Sequence, residues 1–269
     1  MEKRLVFLKL GGSVITDKDR PNTADLVRIQ SIAAEIRHAL DDDPGLSLLI
    51  GHGSGSFGHQ AAKKYGTRDG VKTHQDWQGF CEVAMRAAEL NKILTEQLVQ
   101  SGISALSVSP FSGIVSSNRE IVSWDTSVIE KCLSNKLVPI VYGDVILDRQ
   151  LGGTILSTEE LFAWLALKLH TDRILLAGIE VGVWKDFPAR TQLYTDINPL
   201  TFDDGKSEVQ SSASTDVTGG MRSKVESMVA LVRQAADLEV MVFSGQIEGN
   251  VYSTLKGEPR GTLISNGKG

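Results

Sequence analysis

The sequence predicts an α/β domain built on a mostly parallel sheet with helices on both faces. Short apolar segments of strand character alternate along the chain with longer segments whose apolar residues recur every three or four positions. Polar or glycine-rich clusters follow the apolar segments. Strands that alternate with helices require right-handed crossovers, which cover both faces of a parallel sheet. Ligands of such sheets bind beyond the carboxyl ends of the strands.

Length and charge exclude several classes of protein. The chain has 269 residues, and 28 Lys and Arg against 33 Asp and Glu give a net charge of −5. The ordinary apolar content argues against disorder, and the negative charge argues against nucleic-acid binding. Cys81 and Cys132 are the only cysteines in the sequence, which fits free thiols in a reducing compartment. No apolar segment is long enough to span a bilayer or to form a signal peptide, so we expect a cytoplasmic protein without a membrane partner.

The strands can be placed along the chain from these patterns. Strands are predicted at residues 5–8, 46–50, 138–142, 174–177 and 240–243.

The helices follow from apolar periodicity. An N-cap at Asn22-Thr23 precedes a helix that reaches Leu40. Further helices are predicted at residues 77–100, 158–169 and 221–236, the first with an apolar stripe of Trp77, Cys81, Ala84, Ala88, Leu94 and Leu98. The polar segment from Asp186 to Thr218 is predicted to be an irregular excursion or lid.

Four glycine-rich turns predict a phosphate site. They are Gly11-Gly12-Ser13, the Gly51–Gly58 loop, Gly143-Asp144 and Gly219-Gly220. Glycines allow tight turns and let backbone N–H groups approach an anion. The sequence has no P-loop motif. The G-x-G-x-x-G at Gly53–Gly58 lacks an acidic residue at a following strand end, so a dinucleotide site is disfavoured.

Three lysines near these turns suit phosphoryl transfer. Lys9 lies within an apolar strand, Lys18 follows in a polar turn, and Lys224 falls at the start of a helix, where an anion would have to offset its charge. His59 follows a glycine-rich nest and could hold a second anion, which would make the acceptor itself a phosphate or phosphonate. Asp144 is a candidate to hold the lysines in place, or else a helix or turn cap.

Together these motifs resemble those of the amino-acid-kinase superfamily. Leu8–Ser13 resembles its opening motif, and Asp216–Met221 with Lys224 resembles its late nucleotide motif. Within it, His52–His59 resembles the signature of the isopentenyl phosphate kinase family. The resemblance extends from Leu5 to about Ile264.

The resemblance implies a fold and an activity. The fold would be a three-layer αβα sandwich with an open, mostly parallel central sheet, formed by one domain over residues 1–269. Its part at about 1–150 would bind the acceptor and its part at about 151–264 the nucleotide. A homodimer would transfer the γ-phosphoryl group of Mg·ATP to isopentenyl phosphate, a step of the alternative mevalonate route of isoprenoid biosynthesis. The resemblance implies no metal held by the protein itself, since the Mg²⁺ comes with the nucleotide.

It also implies residue roles. Catalysis would use Lys9, Lys18, His59, Asp144 and Lys224. The nucleotide would contact Lys9, Gly11, Gly12, Ser13, Gly55, Gly178, Gly220 and Lys224, while the acceptor would contact Gly53, Ser54, His59, Thr158 and Thr218.

The sequence departs from the family pattern at two places. Ser54 stands where a third glycine is common, and residues 178–184 replace the usual Thr-Asp-Val-Asp-Gly-Val run. An apolar acceptor tail could contact Phe80 or Met85, although core packing is the favoured interpretation of these residues. The alternatives are a fosfomycin-type phosphonate kinase or another small-acid kinase, and, outside enzymes, a nucleotide-sensing regulatory protein.

Overall fold

The computed structural model describes residues 4–200, 202 and 220–267, and these residues form the predicted α/β fold. The strands in this part of the chain are β1 (Arg4–Leu10), β2 (Leu46–His52), β3 (Ala105–Ser107), β4 (Ile114–Ser117), β5 (Glu120–Trp124), β6 (Val138–Tyr142), β7 (Asp144–Asp148), β8 (Gly152–Leu156), β9 (Arg173–Gly178), β10 (Asp196–Ile197), β11 (Glu239–Ser244) and β12 (Gly261–Ile264). The helices are α1 (Gly12–Ile15), α2 (Leu26–Asp42), α3 (Gly55–Tyr65), α4 (His74–Gln100), α5 (Ser127–Ser134), α6 (Thr158–Leu169), α7 (Gly220–Gln234) and α8 (Asn250–Leu255).

The larger sheet is mostly parallel, as predicted. Its order over the described residues is β10-β12-β11-β9-β1-β2-β6-β3, and only the β11–β12 pair is antiparallel. The carboxyl ends of β9, β1, β2 and β6 therefore meet at one edge of the sheet. A ligand site is expected at this edge.

Side-chain alternation along β1 divides the core into two halves. Val6 and Leu8 join a cluster with α2, α4 and α8, whereas Phe7 joins a cluster with α5, α6 and α7. These clusters are the two interfaces of an αβα sandwich. Because successive strand residues face opposite ways, Lys9 continues the Phe7 side and faces the layer that contains α6 and α7.

A second sheet packs against helices of this sandwich. Its order is β5-β4-β7-β8 within the described residues. Val145 of β7 packs with Phe80 and Val83 of α4 and with Ala61 and Ala62 of α3. This small cluster attaches the second sheet to the helices beside the main sheet.

The structure corrects the predicted stripe of the long helix. The helix begins at His74, because Thr73 and Asp76 form a capping box. Cys81 and Ala88 are exposed, and Trp77 is 36% exposed, while Phe80, Val83 and Ala87 are buried instead. The first half of α4 packs against α3 and the second sheet, which select a different face from the one that apolar spacing indicates.

The segment from Asp186 to Thr218 is described only in part. Residues 186–200 and 202 are irregular except for β10, which pairs with β12 at the edge of the main sheet. The remainder of the predicted lid lies outside the described residues. No helix in the described part of the chain is both long and apolar enough to cross a membrane.

Asp148 organises the turns of the second sheet. Burial alone would raise the pKa of this carboxyl, but hydrogen bonds bring the pKa well below its ordinary value. Its two oxygens accept hydrogen bonds of 2.8–2.9 Å from the Ser116 hydroxyl and from the backbone N–H groups of Asn118, Arg119, Gln150 and Leu151.

We expect Asp148→Asn to lower the free energy of unfolding by about 2 kcal/mol, because an amide N–H₂ would face donors that now meet a carboxylate. Since the folded pKa is lower than the unfolded one, the contribution of the carboxylate is complete above about pH 4 and is lost as the pH falls below it. Denaturant titrations at pH 7 and pH 3 measure this, and the difference between wild type and variant should shrink at pH 3. The exposed Asp237→Asn is the control; an equal loss there would contradict the role of Asp148.

Candidate active site

A cavity of about 600 Å³ opens at the carboxyl edge of the main sheet. It lies beyond β1, β2 and β9, where the strand order predicts a ligand site. Twelve of the predicted site residues line it: Lys9, Gly11, Gly12, Ser13, Lys18, Gly53, Ser54, Gly55, His59, Thr158, Gly178 and Lys224. Residues predicted from separate turns are thus brought to one place.

Two glycine-rich turns meet at the floor of this cavity. A Cβ added to Gly12 would lie 2.2 Å from the backbone nitrogen of Gly55, and Gly55 itself has a φ of +50°. The Thr16 hydroxyl holds the turns together, because it donates to the Gly12 carbonyl at 2.7 Å and accepts from the Ser56 N–H at 3.0 Å. Gly12 is therefore required for close backbone approach, as the sequence predicts for these turns.

The predicted Gly51–Gly58 loop is much shorter than expected. β2 continues to His52 and α3 begins at Gly55, which leaves only Gly53 and Ser54 between them. His59 consequently lies half-buried in the second turn of α3, instead of at the end of a loop. The short loop delivers the N-terminus of α3 to the cavity.

Helix N-termini give the cavity a positive field. α3 and α6 begin at its wall, and Met221, the second residue of α7, also lines it. The first N–H groups of a helix have no partner within the helix and carry the positive end of its dipole. A phosphate group would satisfy both, so the cavity is suited to polyanions.

Lys9 is buried and paired with a carboxylate that the sequence analysis did not select. Lys9 Nζ donates to Oε1 of Glu159, and the two residues are only 7% and 6% exposed. Burial alone would raise the pKa of Glu159, but the charges of Lys9 and Lys224 outweigh burial and lower the pKa below its ordinary value. Glu159 is therefore an anion that faces two of the three predicted lysines.

Asp144 does not take the expected place beside the lysines. It is buried at the start of β7 and is not among the residues that line the cavity. Burial raises its pKa to about 7, and its carboxylate accepts hydrogen bonds from the Val145 and Phe111 N–H groups and from the Ser109 side chain. Among the described carboxylates, that of Glu159 contacts Lys9, because the Phe7 side of β1 faces α6.

The other predicted cations lie at the cavity wall. Lys18 is exposed on the loop after α1, and Lys224 is half-buried in the second turn of α7. Gly220 begins α7 with a φ of +70°, one residue before the cavity lining at Met221.

Two predicted acceptor contacts have different outcomes. The Thr158 hydroxyl donates to the His52 carbonyl at 2.6 Å and accepts from the Gly143 N–H at 3.1 Å. It thus ties the start of α6 to the ends of β2 and β6, and the structure does not direct it to a ligand. Thr218 lies outside the described residues.

The two ends of the cavity differ in character. Near α3, α4 and β8 the wall contains the small apolar residues Ala62, Val83, Ala87 and Ile155. Phe80 lies in the core beside them, whereas Met85 is 56% exposed and does not line the cavity. At the other end, beyond β9, the aromatic residues Trp184 and Phe187 join the wall.

Sequence reasoning missed Glu159 and Arg68 as residues of the cavity wall. A carboxylate in the first turn of a helix is already explained by the helix dipole, so nothing local marked Glu159 as a partner of Lys9. The available signal is the alternation of side chains along β1, which places Lys9 on the same face as Phe7, toward the layer that contains α6 and α7. Arg68 follows α3 and pairs with Glu160 of α6 across 3.5 Å, a contact between segments that are distant in sequence.

Known proteins are similar to this chain over nearly its whole length. A model of the amino acid kinase family matches residues 4–244. An isopentenyl phosphate kinase of Methanocaldococcus jannaschii is 34% identical over 271 residues, which cover 97% of this chain and 98% of that protein. An isopentenyl phosphate kinase of Arabidopsis thaliana is 25% identical over a match that covers 87% of this chain and 86% of that protein. A solved isopentenyl phosphate kinase structure matches with a TM-score of 0.82 and 31% identity, covering 97% of this chain and 100% of that one.

Gly12→Ala should destabilise the protein by about 3 kcal/mol, since the new methyl group would collide with the backbone of Gly55 and not with a movable side chain. Gly178→Ala is the matched control in the same cavity, because its Cβ would have no neighbour closer than 3.9 Å. Denaturant unfolding of the two variants measures the difference. Equal stability of both would show that the two turns do not need their close approach.

Proposed function

The chain belongs to the amino acid kinase family, and we propose that it transfers the γ-phosphoryl group of ATP to isopentenyl phosphate. The products are isopentenyl diphosphate and ADP. The relatives named above supply the substrate, and the cavity supplies independent support from its chemistry. ATP brings its Mg²⁺ bound to the phosphates.

The observation that carries this proposal is the joining of a polyanion site to a small apolar chamber. The glycine turns, the helix N-termini and three lysines surround one part of the cavity. Ala62, Val83, Ala87 and Ile155 form the adjoining wall. An acceptor with a phosphate head and a short branched hydrocarbon tail matches both parts, whereas a small polar acid would leave the apolar wall against water.

The reaction needs little covalent chemistry from the protein. An oxygen of the acceptor phosphate attacks the γ-phosphorus of ATP, the bond from that phosphorus to the β,γ-bridging oxygen breaks, and ADP leaves with the bonding electrons. The acceptor is already anionic, so no strong general base is required. The main barrier is the repulsion between two polyanions, which cations and N–H dipoles must offset.

The positions of the residues in the cavity support the following proposed roles. Lys9 stabilises the transferring phosphoryl group, Lys18 contacts the γ-phosphate, and Lys224 neutralises nucleotide phosphates. Glu159 sets the position of Lys9. Gly11, Gly12, Ser13 and Gly55 contact phosphates through their backbones, and Gly178 and Gly220 lie toward the nucleotide.

The acceptor side is assigned to Gly53, Ser54 and His59, beside the apolar wall. Thr158 is assigned to the framework of the site instead, since its hydroxyl is engaged by backbone groups. In this proposal the acceptor is bound mainly by the part at about 1–150 and the nucleotide by the part at about 151–264, with Lys9 between them.

The proposed assembly is a homodimer. Leu106 on the edge strand β3, Phe111 in the following turn and Val115 on β4 are 48%, 41% and 36% exposed, and they lie within ten residues of chain. Exposed apolar side chains in one region are typical of an interface. The proposed location is the cytoplasm, which suits the free thiols of Cys81 and Cys132.

The deciding experiment is an ADP-release assay on the purified protein with Mg·ATP and a panel of acceptors. The panel contains isopentenyl phosphate, dimethylallyl phosphate, fosfomycin, N-acetylglutamate and UMP, and mass spectrometry identifies each product. We expect the isoprenoid monophosphates to react with a kcat/KM of at least about 10⁴ M⁻¹s⁻¹. A preference for fosfomycin would overturn the substrate, and nucleotide binding without any turnover would favour a sensor.

Lys9→Ala should lower kcat about 10² to 10³-fold, as expected for the loss of one donor to the transition state. Glu159→Gln should lower kcat by about tenfold, since Lys9 remains but loses the charge that positions it. Steady-state kinetics measure both, and Glu130→Gln on the exposed face of α5 is the control for Glu159. Unchanged turnover in Lys9→Ala would remove this lysine from the mechanism.

His59→Ala should raise the KM for isopentenyl phosphate by about tenfold and leave the KM for ATP unchanged, because it removes one hydrogen-bond donor to the acceptor phosphate. His59→Gln should recover part of the loss, since its amide still donates. Initial rates with each substrate varied in turn provide the test. Normal acceptor KM values in both variants would make His59 a structural residue.

A further inference from the structure

His52 is a buried titratable residue that the mechanism above does not use. It is the last residue of β2 and is 0% exposed. It directly precedes Gly53 and Ser54, the two residues between β2 and α3 that we call the acceptor loop. Its ring stacks on Tyr142 with the centroids 5.3 Å apart and an interplanar angle of 12°. The ring is outside the cavity wall, so it reaches a ligand only through its neighbours.

Both ring nitrogens of His52 face an oxygen atom. Nδ1 is 3.1 Å from the Gly53 carbonyl oxygen, and Nε2 is 3.2 Å from Oδ1 of Asn91 on α4. A neutral imidazole has only one N–H and cannot donate to both. Burial lowers the pKa of His52 to about 4, so the doubly protonated ring is not the form present near neutral pH.

This conflict is removed when the side-chain oxygen and nitrogen of the Asn91 amide exchange positions. The oxygen and nitrogen of an amide have nearly the same shape, and their hydrogen-bond partners decide the orientation. The Asn91 nitrogen position lies 2.5 Å from the hydroxyl oxygen of Ser107 on β3, and a hydroxyl can donate as well as accept. After the exchange, the Ser107 hydroxyl donates to the amide oxygen, and the amide N–H donates to His52 Nε2.

This arrangement fixes the tautomer of the histidine. With Nε2 as acceptor, the proton is on Nδ1 and is donated to the Gly53 carbonyl. In the row of hydrogen bonds that runs from Ser107 through Asn91 and His52 to Gly53, each donor then faces an acceptor. The other tautomer would set the Nδ1 lone pair against a carbonyl oxygen at 3.1 Å within the core, which is unfavourable.

We propose that His52 is a positioning residue for the acceptor loop, acting as the neutral Nδ1–H tautomer that Asn91 and Ser107 select. Because a trans peptide points its C=O and N–H in opposite directions, holding the Gly53 carbonyl also sets the direction of the Ser54 N–H. That N–H points away from the His52 ring, on the loop that lines the cavity. The inference rests on the proposed function in assigning this loop to the acceptor phosphate.

The backbone of His52 strengthens the same connection. Its carbonyl accepts hydrogen bonds from the Thr158 hydroxyl at 2.6 Å and from the Gly143 N–H at 3.2 Å. The residue thus joins the acceptor loop to the start of α6, which also carries Glu159. A shift of the His52 ring would be transmitted to the loop without direct contact between the ring and a ligand.

Two substitutions of His52 distinguish the roles of its two ring nitrogens. The amide nitrogen of His52→Asn can occupy the place of Nδ1 and donate to Gly53, whereas that of His52→Gln reaches the place of Nε2 and leaves Gly53 without a donor. We expect the KM for isopentenyl phosphate to rise about tenfold in His52→Gln and to stay within about threefold of wild type in His52→Asn. The KM for ATP should not change in either, and His38→Gln on α2 is the matched control.

Proton placement in the wild-type chain provides a measurement that does not depend on variants. Two-bond ¹H–¹⁵N correlation spectra of histidine-labelled protein distinguish the two tautomers and the cation, and the spectrum of His52→Asn assigns the signal. We expect the Nδ1–H pattern at pH 7, unchanged down to pH 5. An Nε2–H pattern, a cation at pH 7, or an equal rise of acceptor KM in the Asn and Gln variants would overturn the proposal.

Turnover of isopentenyl phosphate by the wild-type protein in the same assay tests the proposed function by itself. The two conclusions can therefore fail separately.

Discussion

A lysine in the central strand of a parallel sheet can be buried only if its charge is compensated, and the ion pair of Lys9 with Glu159 provides that compensation. The pair imposes a geometry on the surrounding fold. α6 must begin at the carboxyl edge of the sheet, on the side of β1 that Phe7 and Lys9 share. The Ser157–Glu160 capping box fixes the start of α6 at this edge. The same carboxylate then limits the repulsion between Lys9 and Lys224.

The remaining electrostatics of the cavity follow from this arrangement. The described residues that line the cavity include four lysines and Arg68 but only two carboxylates, Glu159 and Glu180. Several helices add their positive ends, so this part of the chain leaves the cavity with an excess of positive potential. Polyanionic substrates complete the charge balance when they bind. In the proposed function, the groups that bind and align the two phosphate-bearing molecules would also stabilise the transferred phosphoryl. The apolar wall adds selectivity for the acceptor without affecting this balance.

The parts of the structure that the sequence predicted are those with strong local signals. Residues 138–142 and 158–169 form the predicted strand and helix with the predicted bounds, because their apolar patterns and caps agree with the final packing. The second sheet was not predicted, since its strands are only four or five residues long and gain their structure from one another and from Asp148. The glycine-rich segment after Gly55 was expected to be a loop, yet it forms α3 because it packs against α4 and the second sheet.

The candidate site shows the same division. Lys9 and the glycine turns carry local signals, whereas the Lys9–Glu159 contact joins residues 150 positions apart and has no local signature. The sequence favoured Asp144 over Glu159 as the partner of the lysines, and the facing of β1 toward α6 selects Glu159 for Lys9 instead. The alternation of side chains along β1 decides which carboxylate can reach Lys9. Using it requires knowing which helix covers each face of the sheet.

The contact between Gly12 and Gly55 has a consequence for the variation that this protein can accumulate. A clash between two side chains can be relieved in later generations by a second mutation that shortens one of them. Here each partner is already glycine, and the atoms in contact are main-chain atoms that every amino acid shares. No second-site substitution of side chains can restore the lost space. The two positions are therefore expected to stay fixed together in descendants of this sequence, while the apolar wall a few residues away can drift and change the acceptor.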